Sequence, residues 1–469
     1  MTQPLKYAVD DPLSVVIDFL EKANQDKLAS DVLDVFANLT ATNEIEKTNL
    51  LAKLYLDIRN IPKAEKFALK VLSISTRPEE MFNARGNLAK MYNLVNEPAK
   101  SIFYSKLNTA VDPNNSDTSL ETVFSLYLLG RKKEAEVILR DLKAREHEIP
   151  DRNRDVVNFN LGTYDMEAGD FLKGLSGFML NVQKLDLWFS AKKLPFTFWD
   201  GGIFPGRTLI MFMEGGGIGD EFITIRFMDN LKALGFDPVY YTTRKDLCNI
   251  FNRCGFKSIT SLEGIPPDSL WTYAAQTPIW LEMGPEQMMR NDSYLYPAPE
   301  FVDKWAFMNE SKKLKIGLRW QGNAKNERDL HRKVPMDDIM TMLLDLFKDQ
   351  EIEFYSLQIG DGEEETANYP QLIDISDKVT SYNDTLALLK NLDYVITSCT
   401  SVLHASAIVG TKTLGLIPIS AYFTWLHPVP DNKSIYYGDN LRVFKQVAFK
   451  SWVEPIAELR NFITNDIGK

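Results

Sequence analysis

Cysteine and histidine are scarce: three Cys and four His stand among 469 residues. Cys248, Cys254 and Cys399 form no CxxC pair and no even framework, which excludes a disulfide scaffold and a zinc knuckle and predicts reduced thiols. No run approaches the roughly 20 apolar residues of a membrane span. The opening MTQPLKYAVDDPLS places charges where a signal peptide needs an apolar stretch, so a soluble cytoplasmic protein is expected. Positive charge is also in deficit, with a formal net charge of −11. That excludes a surface built throughout to neutralise nucleic-acid phosphates and leaves room only for a local basic site. Neither an Asp-x-Asp pair nor a His/Cys cluster offers to hold a cation, so no metal is expected.

What is present is a well-packed globular composition, 45% hydrophobic and 25% charged, long enough for about three domains. The first 190 or so residues hold little glycine and repeat apolar residues at three- and four-residue intervals, as in KAEKFALKVLSI, which predicts stacked amphipathic helices. Tyr55, Tyr92, Tyr127 and Tyr164 each precede a short polar turn, at spacings of 37, 35 and 37 residues. A small residue follows each turn: Ala64, Ala99, Ala135 and Gly174. This period resembles a degenerate tetratricopeptide repeat; the alternative is an irregular helical bundle.

Near Trp199 the pattern changes to short β-rich runs alternating with helices. TLIMFM leads through a glycine loop and a helix to PVYYTT, and a second series starts at Lys315 with KIGLRW and continues through FYSLQ, LIDI, YVITS and TLGLI. Two successive Rossmann-like units are expected, with a parallel sheet in each, joined by the Pro- and Tyr-rich stretch from Ser293 to Phe301. The domain reading is therefore a helical repeat domain over 1–195, a first Rossmann-like lobe over 196–300, and a second over 301–469 that ends in a closing helix.

Three features carry chemistry. In the first, Gly215, Gly216, Gly217 and Gly219 precede Asp220 where a strand turns into a helix, a loop that lets a ligand approach backbone closely. A dinucleotide dehydrogenase would need glycine at position 220 and an acidic residue near TTRK, where Arg244 stands instead. Asp220 reads equally as a general base at the mouth of the lobe or as a helix-capping carboxylate. In the second, Ser398, Thr400, Ser401 and His404 lie where a strand runs into a helix, offering hydroxyls and first-turn N–H groups to an anion. His404 can donate to the same anion, the alternative being a structural histidine. In the third, eight Lys or Arg (Lys312, Lys313, Lys315, Arg319, Lys325, Arg328, Arg332, Lys333) face two acids (Glu327, Asp329), enough charge to neutralise a pyrophosphate without metal.

Together these motifs resemble a glycosyltransferase module of the two-lobed GT-B type, found behind tetratricopeptide repeats in bacterial and phage proteins. It is similar to heptosyltransferases of glycosyltransferase family 9 and distantly to O-linked GlcNAc transferase. The matching residues are Trp199 and Gly201, Gly219-Asp220, Trp320-x-Gly322-Asn323, Arg332 with Pro335, Ser356-Leu357-Gln358, Asn383-Asp384-Thr385, Ser398 to His404, and Pro418 with Tyr422 and Trp425. In the closing aromatic-Arg-Gln, Phe444 and Gln446 match but Lys445 replaces Arg. The resemblance implies Asp220 as catalytic base, Thr400, Ser401, His404 and Arg332 on the donor diphosphate, and Gln358 and Thr385 in the nucleotide pocket. Trp320, Asn323, Lys325, Tyr422 and Trp425 are further candidates.

The implied reaction is inverting, metal-independent sugar transfer from a nucleotide sugar, UDP-linked by expectation, to a hydroxyl acceptor with no further cofactor. Phage relatives point to hydroxymethylcytosine in DNA as acceptor, beside a surface glycan or a protein side chain. The helical repeats would bind protein or acceptor. A scaffold that has lost activity is the reading from another class.

Overall fold

The computed structural model describes Leu20 and residues 25–39, 43–184, 194–213, 216–323 and 329–467. The chain folds as two compact units, Met1–Asn153 and Arg154–Lys469. Composition alone runs the helical half on to residue 195, whereas the division falls at 153/154, inside a helix.

The first unit is helical: α1 (Asp26–Asn38), α2 (Glu44–Asp57), α3 (Ile61–Ile74), α4 (Pro78–Leu94), α5 (Pro98–Thr109), α6 (Ser116–Leu128) and α7 (Lys132–Ala144). Helix α8 (Asp151–Glu167) crosses the division and α9 (Phe171–Lys184) follows it. Four turns share one geometry. Each has a left-handed residue just before the next helix's N-cap: Arg59 (φ 57°), Asn96 (φ 59°), Gly130 (φ 73°) and Gly169 (φ 96°). The N-cap N–H then reaches back five residues, from Asn60 to Tyr55, Glu97 to Tyr92, Arg131 to Leu126 and Asp170 to Asp165, over 2.8 to 2.9 Å. This is the Schellman closure, which satisfies carbonyls left over at a helix end.

That common turn corrects the register read from tyrosines. Tyr55 and Tyr92 hold the equivalent position, but in the third and fourth turns Leu126 and Asp165 hold it, next to Tyr127 and Tyr164. Four residues into each following helix stand Ala64, Ser101, Ala135 and Gly174. Ser101, not Ala99, is the small residue of the second turn: Ser101 is buried and Ala99 exposed. Where α8 meets α9 the backbones approach closely. A Cβ on Gly162 would lie 2.5 Å from the Phe178 nitrogen and 2.6 Å from the Gly174 carbonyl oxygen.

The second unit holds two sheets. In the first lobe β1 (Thr197–Phe198), β2 (Thr208–Phe212), β3 (Asp237–Tyr241), β4 (Ser258–Ile259) and β5 (Leu270–Tyr273) run parallel in the order β1-β5-β2-β3-β4. Its helices include α10 (Ile218–Thr224), α11 (Phe227–Ala233) and α12 (Lys245–Arg253). The connecting stretch is not an exposed linker: Tyr294, Leu295 and Ala298 are buried, and Pro299 opens helix α13 (Pro299–Trp305), where a proline at the first helical position loses no hydrogen bond.

The second lobe pairs β6 (Leu314–Arg319), β7 (Ile352–Ser356), β8 (Leu372–Asp374), β9 (Tyr394–Ser398), β10 (Lys412–Ile417), β11 (Lys433–Ser434) and β12 (Gly438–Lys445) in the order β11-β12-β10-β9-β6-β7-β8. Only β11 with β12 is antiparallel. Helices α14 (Met336–Leu346), α15 (Tyr382–Lys390), α16 (Ser401–Ile408) and α17 (Val453–Ile467) accompany them. One continuous core runs from Phe178 of α9 through Met211 and Phe222 of the first lobe to Leu403 and Tyr437 of the second. Ile316, Leu343, Phe444 and Leu459 belong to a separate core that α14 and α17 share with the second sheet.

Candidate functional site

Asp220 sits in the first turn of α10, just beyond the carboxyl end of β2. Its Oδ2 accepts the Gly217 N–H at 2.7 Å, the backward half of a capping box. This is the capping role, and among the described residues Oδ1 makes no such bond. Burial raises the carboxyl from its ordinary value to about 6, more than the Gly217 donor lowers it. Beside it, burial raises Glu221 too, and Arg244 closes an ion pair with Glu221 and donates to the Gly216 carbonyl at 3.3 Å. Gly216 is needed for space: a Cβ there would fall 2.8 Å from Met213 Cε and 3.2 Å from Asp220 Cβ. Gly215 and Glu214 lie outside the described residues.

The second constellation forms at the carboxyl end of β9. Thr400 is the N-cap of α16 and Ser401 its first residue. Arg332 reaches this turn, donating to the Cys399 carbonyl at 3.2 Å. Ser398 is fully buried, and its hydroxyl finds no hydrogen-bond partner among the described residues. His404 is buried between Trp425, stacked at 5.1 Å and 22°, and Tyr437, whose hydroxyl lies 3.0 Å from Nδ1. Burial, aided by Arg226, lowers the imidazole to about 3, so it is neutral at physiological pH.

The two constellations meet. Helix α10 packs on α16, and a Cβ added to Gly219 would stand 2.6 Å from His404 Cδ2 and 3.1 Å from Nε2. The residue next to Asp220 therefore touches the ring four residues past Thr400. The start of α16 also lines a cavity of about 360 Å³, with Ser401 joined there by Thr385, Tyr382, Ser381, Arg319 and, from the first lobe, Asp246, while Asp220 and His404 stand outside its lining. Asp246 crosses between the lobes to accept the Tyr382 N–H at 2.8 Å. The volume falls in the range of small-molecule sites.

Other sequence candidates are placed differently. The Gln358 side chain is fully buried and taken up by backbone: its oxygen accepts from Trp320 and Gln321 N–H groups, and its nitrogen donates to the Gln321 and Asp361 carbonyls. It does not itself line the cavity, though its neighbours Leu357 and Ile359 do. Trp320 is a core residue and Asn323 is exposed. Trp199 is core as well, its indole donating to the Gly202 carbonyl at 2.5 Å across left-handed Gly201. Tyr422 meets Phe178 edge to face, and the Trp425 indole donates to Cys399 Sγ at 3.1 Å.

The basic stretch divides. Lys312, Lys313 and Lys315 lie at the amino end of β6, opposite the site, and Lys315 Nζ is held by the Ser311 carbonyl at 3.0 Å. Arg319 and Arg332 lie at the carboxyl end. Lys325 and Arg328 are outside the described residues.

Four residues near the site carry no readable signal in the sequence. Arg226, Tyr437, Tyr382 and Asp246 look like ordinary helix and loop residues, and only the packing of lobe on lobe brings them together. Among the described residues no cluster of three or more His, Cys, Asp or Glu could hold a metal, and no helix is long and apolar enough to cross a membrane.

No protein-family model and no curated protein matches the chain. Three solved structures are similar in outline. A glycosyl transferase family 9 protein from Veillonella parvula is 10% identical, covering 53% of this chain and 88% of its own, at a TM-score of 0.35. An O-GlcNAc transferase mutant from Thermobaculum terrenum is 13% identical, with 92% of each chain covered, also at 0.35. An E. coli heptosyltransferase with ADP is 10% identical, covering 56% of this chain and 98% of its own, at 0.36. Likeness at that level leaves the chemistry to be argued from the residues themselves.

Proposed function

We propose that the chain is a metal-independent glycosyltransferase of the two-lobed type, preceded by tetratricopeptide-like repeats, that moves a sugar from a nucleotide sugar to a hydroxyl acceptor. The observation that carries this reading is the contact of α10, bearing Asp220, with His404 of α16, beside a cavity of about 360 Å³. In this reading a UDP-type nucleotide occupies the cavity lined by Thr385, Ser381 and Tyr382. On the same reading its diphosphate lies at the start of α16, against the Thr400 and Ser401 hydroxyls and the N–H groups at the head of the helix, before Leu403, whose N–H is taken by the Thr400 carbonyl. Arg332 and Arg319 supply positive charge, so no cation is required.

Across the crevice Asp220 takes the proton of the incoming hydroxyl. The new bond forms from that oxygen to the anomeric carbon as the bond to the diphosphate oxygen breaks, and the nucleotide leaves as the diphosphate. A carboxylate raised to about 6 is still ionised at neutral pH and more basic than an ordinary aspartate, which suits that role.

Calorimetric titration with UDP, with and without chelator, tests the donor site; saturable binding that chelator does not change is expected. Failure to bind UDP, or binding of NAD or NADP in its place, overturns the reading. The acceptor is sought by incubating the chain with a panel of nucleotide sugars and with plain or hydroxymethylated DNA, glycans and protein, read by mass spectrometry.

A further inference from the structure

Arg226, at the junction of α10 and α11, is buried, and among the described residues no carboxylate lies within ion-pair distance of it. Asp292 feels its charge only from beyond that distance, and a desolvated guanidinium with no carboxylate in contact is costly, so its immediate neighbours must hold it by other means. They are tyrosines. Its Nη1 donates to the Tyr436 carbonyl at 2.5 Å and to the Met288 carbonyl at 3.3 Å, and Nη2 donates to the Tyr294 hydroxyl at 2.6 Å. The cation also lies over the rings of Tyr437 (4.7 Å), Tyr294 (4.9 Å) and Tyr436 (5.7 Å). The Tyr294 hydroxyl in turn donates a hydrogen bond to the Phe222 carbonyl at 2.9 Å. The cage thus joins the first lobe to the segment before β12 in the second, and Tyr437, one of its walls, reaches His404.

Two physical effects orient the bond between Tyr437 and His404. An imidazole nitrogen is a far better acceptor than a phenol oxygen, and a cation against the Tyr437 ring makes its O–H a better donor and its oxygen a poorer acceptor. Both effects favour the phenol as donor to Nδ1, and the other acceptor beside it, the Tyr294 hydroxyl, already accepts from Arg226. The ring's own proton is left on Nε2, the atom facing the space that Gly219 keeps open. Charged or titratable groups around the ring are Arg226 between α10 and α11, Asp220 on α10, Cys399 before α16, and Tyr294, Tyr436 and Tyr437.

We infer that Arg226 is a positioning residue: through Tyr437 it fixes His404 as the Nε2–H tautomer and turns that N–H toward an anionic oxygen of the bound donor. The last step rests on the glycosyltransferase reading, while the tautomer does not. Nothing in the sequence marks Arg226 for this task, because the cage is assembled from residues that lie 62 positions away (Met288) and beyond, as far as Tyr437.

The test is nuclear magnetic resonance of the full chain with isotope-labelled histidine rings, His404 being assigned by its loss in His404→Gln. In the parent, Nε2 is expected to carry the proton and Nδ1 to appear as a bare, hydrogen-bonded nitrogen. Tyr437→Phe and Arg226→Met should both move the Nδ1 signal and admit the other tautomer, while Arg226→Lys should restore part of the parent pattern. In Tyr437→Phe, UDP affinity should fall about threefold to tenfold, the size of one neutral hydrogen bond. A parent spectrum with the proton on Nδ1 overturns the inference without any variant, as do signals unmoved in Tyr437→Phe. The expected tautomer in a chain that takes up no UDP would defeat the donor site and leave the cage standing.

Discussion

Gly219 and His404 form a tight contact between the two lobes: any side chain at 219 would begin 2.6 Å from the imidazole Cδ2. Ring and helix could not both stay in place, since His404 is pinned by Trp425 on one side and Tyr437 on another. Gly219→Ala should therefore lower sugar transfer at least tenfold, by moving Asp220 and His404 apart, with a much smaller change in melting temperature. Transfer at the parental rate would show that the contact plays no part in the reaction.

On the proposed mechanism Asp220 should set the pH dependence. Its carboxyl is raised to about 6, so the basic form prevails above that pH and disappears below it. Transfer should fall about tenfold for each pH unit below 6, as expected for a single essential base. His404, lowered to about 3, contributes no limb in the same window. In Asp220→Asn the rate should drop on the order of 10²- to 10⁴-fold, with the acid limb gone and UDP binding kept. A limb that survives in Asp220→Asn assigns it to another group.

Ser401 and Thr385 line the same cavity from two helices, α16 and α15. Ser401→Ala and Thr385→Val remove one hydroxyl each and leave the fold's apolar packing intact. Each should weaken UDP binding by about 0.5–1.5 kcal/mol, a factor of about two to twelve in Kd, measured by calorimetry. Parental affinity in both variants would place the nucleotide elsewhere.

Gly162 is predicted to matter for stability alone. Its Cβ would run into backbone, the Phe178 nitrogen and the Gly174 carbonyl, neither of which can swing aside as a flexible side chain does. Gly162→Ala should cost about 1–3 kcal/mol, the usual penalty for overpacking, even though alanine favours helix. Denaturant unfolding checks this, and an unchanged midpoint would mean that α8 and α9 separate freely.

Several features of the molecule are legible in order along the chain. Apolar periodicity marks the helices of the first half, and runs such as TLIMFM, YVITS and TLGLI mark strands β2, β9 and β10, because a strand's burial is written in its own residues. The strand-to-helix turns holding Asp220 and Thr400 are readable for the same reason: a turn's chemistry is local. Side-chain direction and depth are not. Ser101 rather than Ala99 meets the neighbouring helix because the turn geometry, not the tyrosine spacing, sets the phase. Lys315 shares a basic stretch with Arg319 yet lies at the far end of the same strand, and Gln358, for all its place in a motif, has both ends of its amide tied to backbone.

Residues far apart in the chain decide the rest. Whether Asp220 stands near His404, whether Asp246 reaches the cavity, and what surrounds Arg226 all depend on how two separately legible lobes pack on each other. Burial there raises one carboxyl, neutralises one imidazole and strands one guanidinium among tyrosines. Desolvation belongs to the assembled interior and to no segment alone, so these properties exist only once the lobes have closed on a common core.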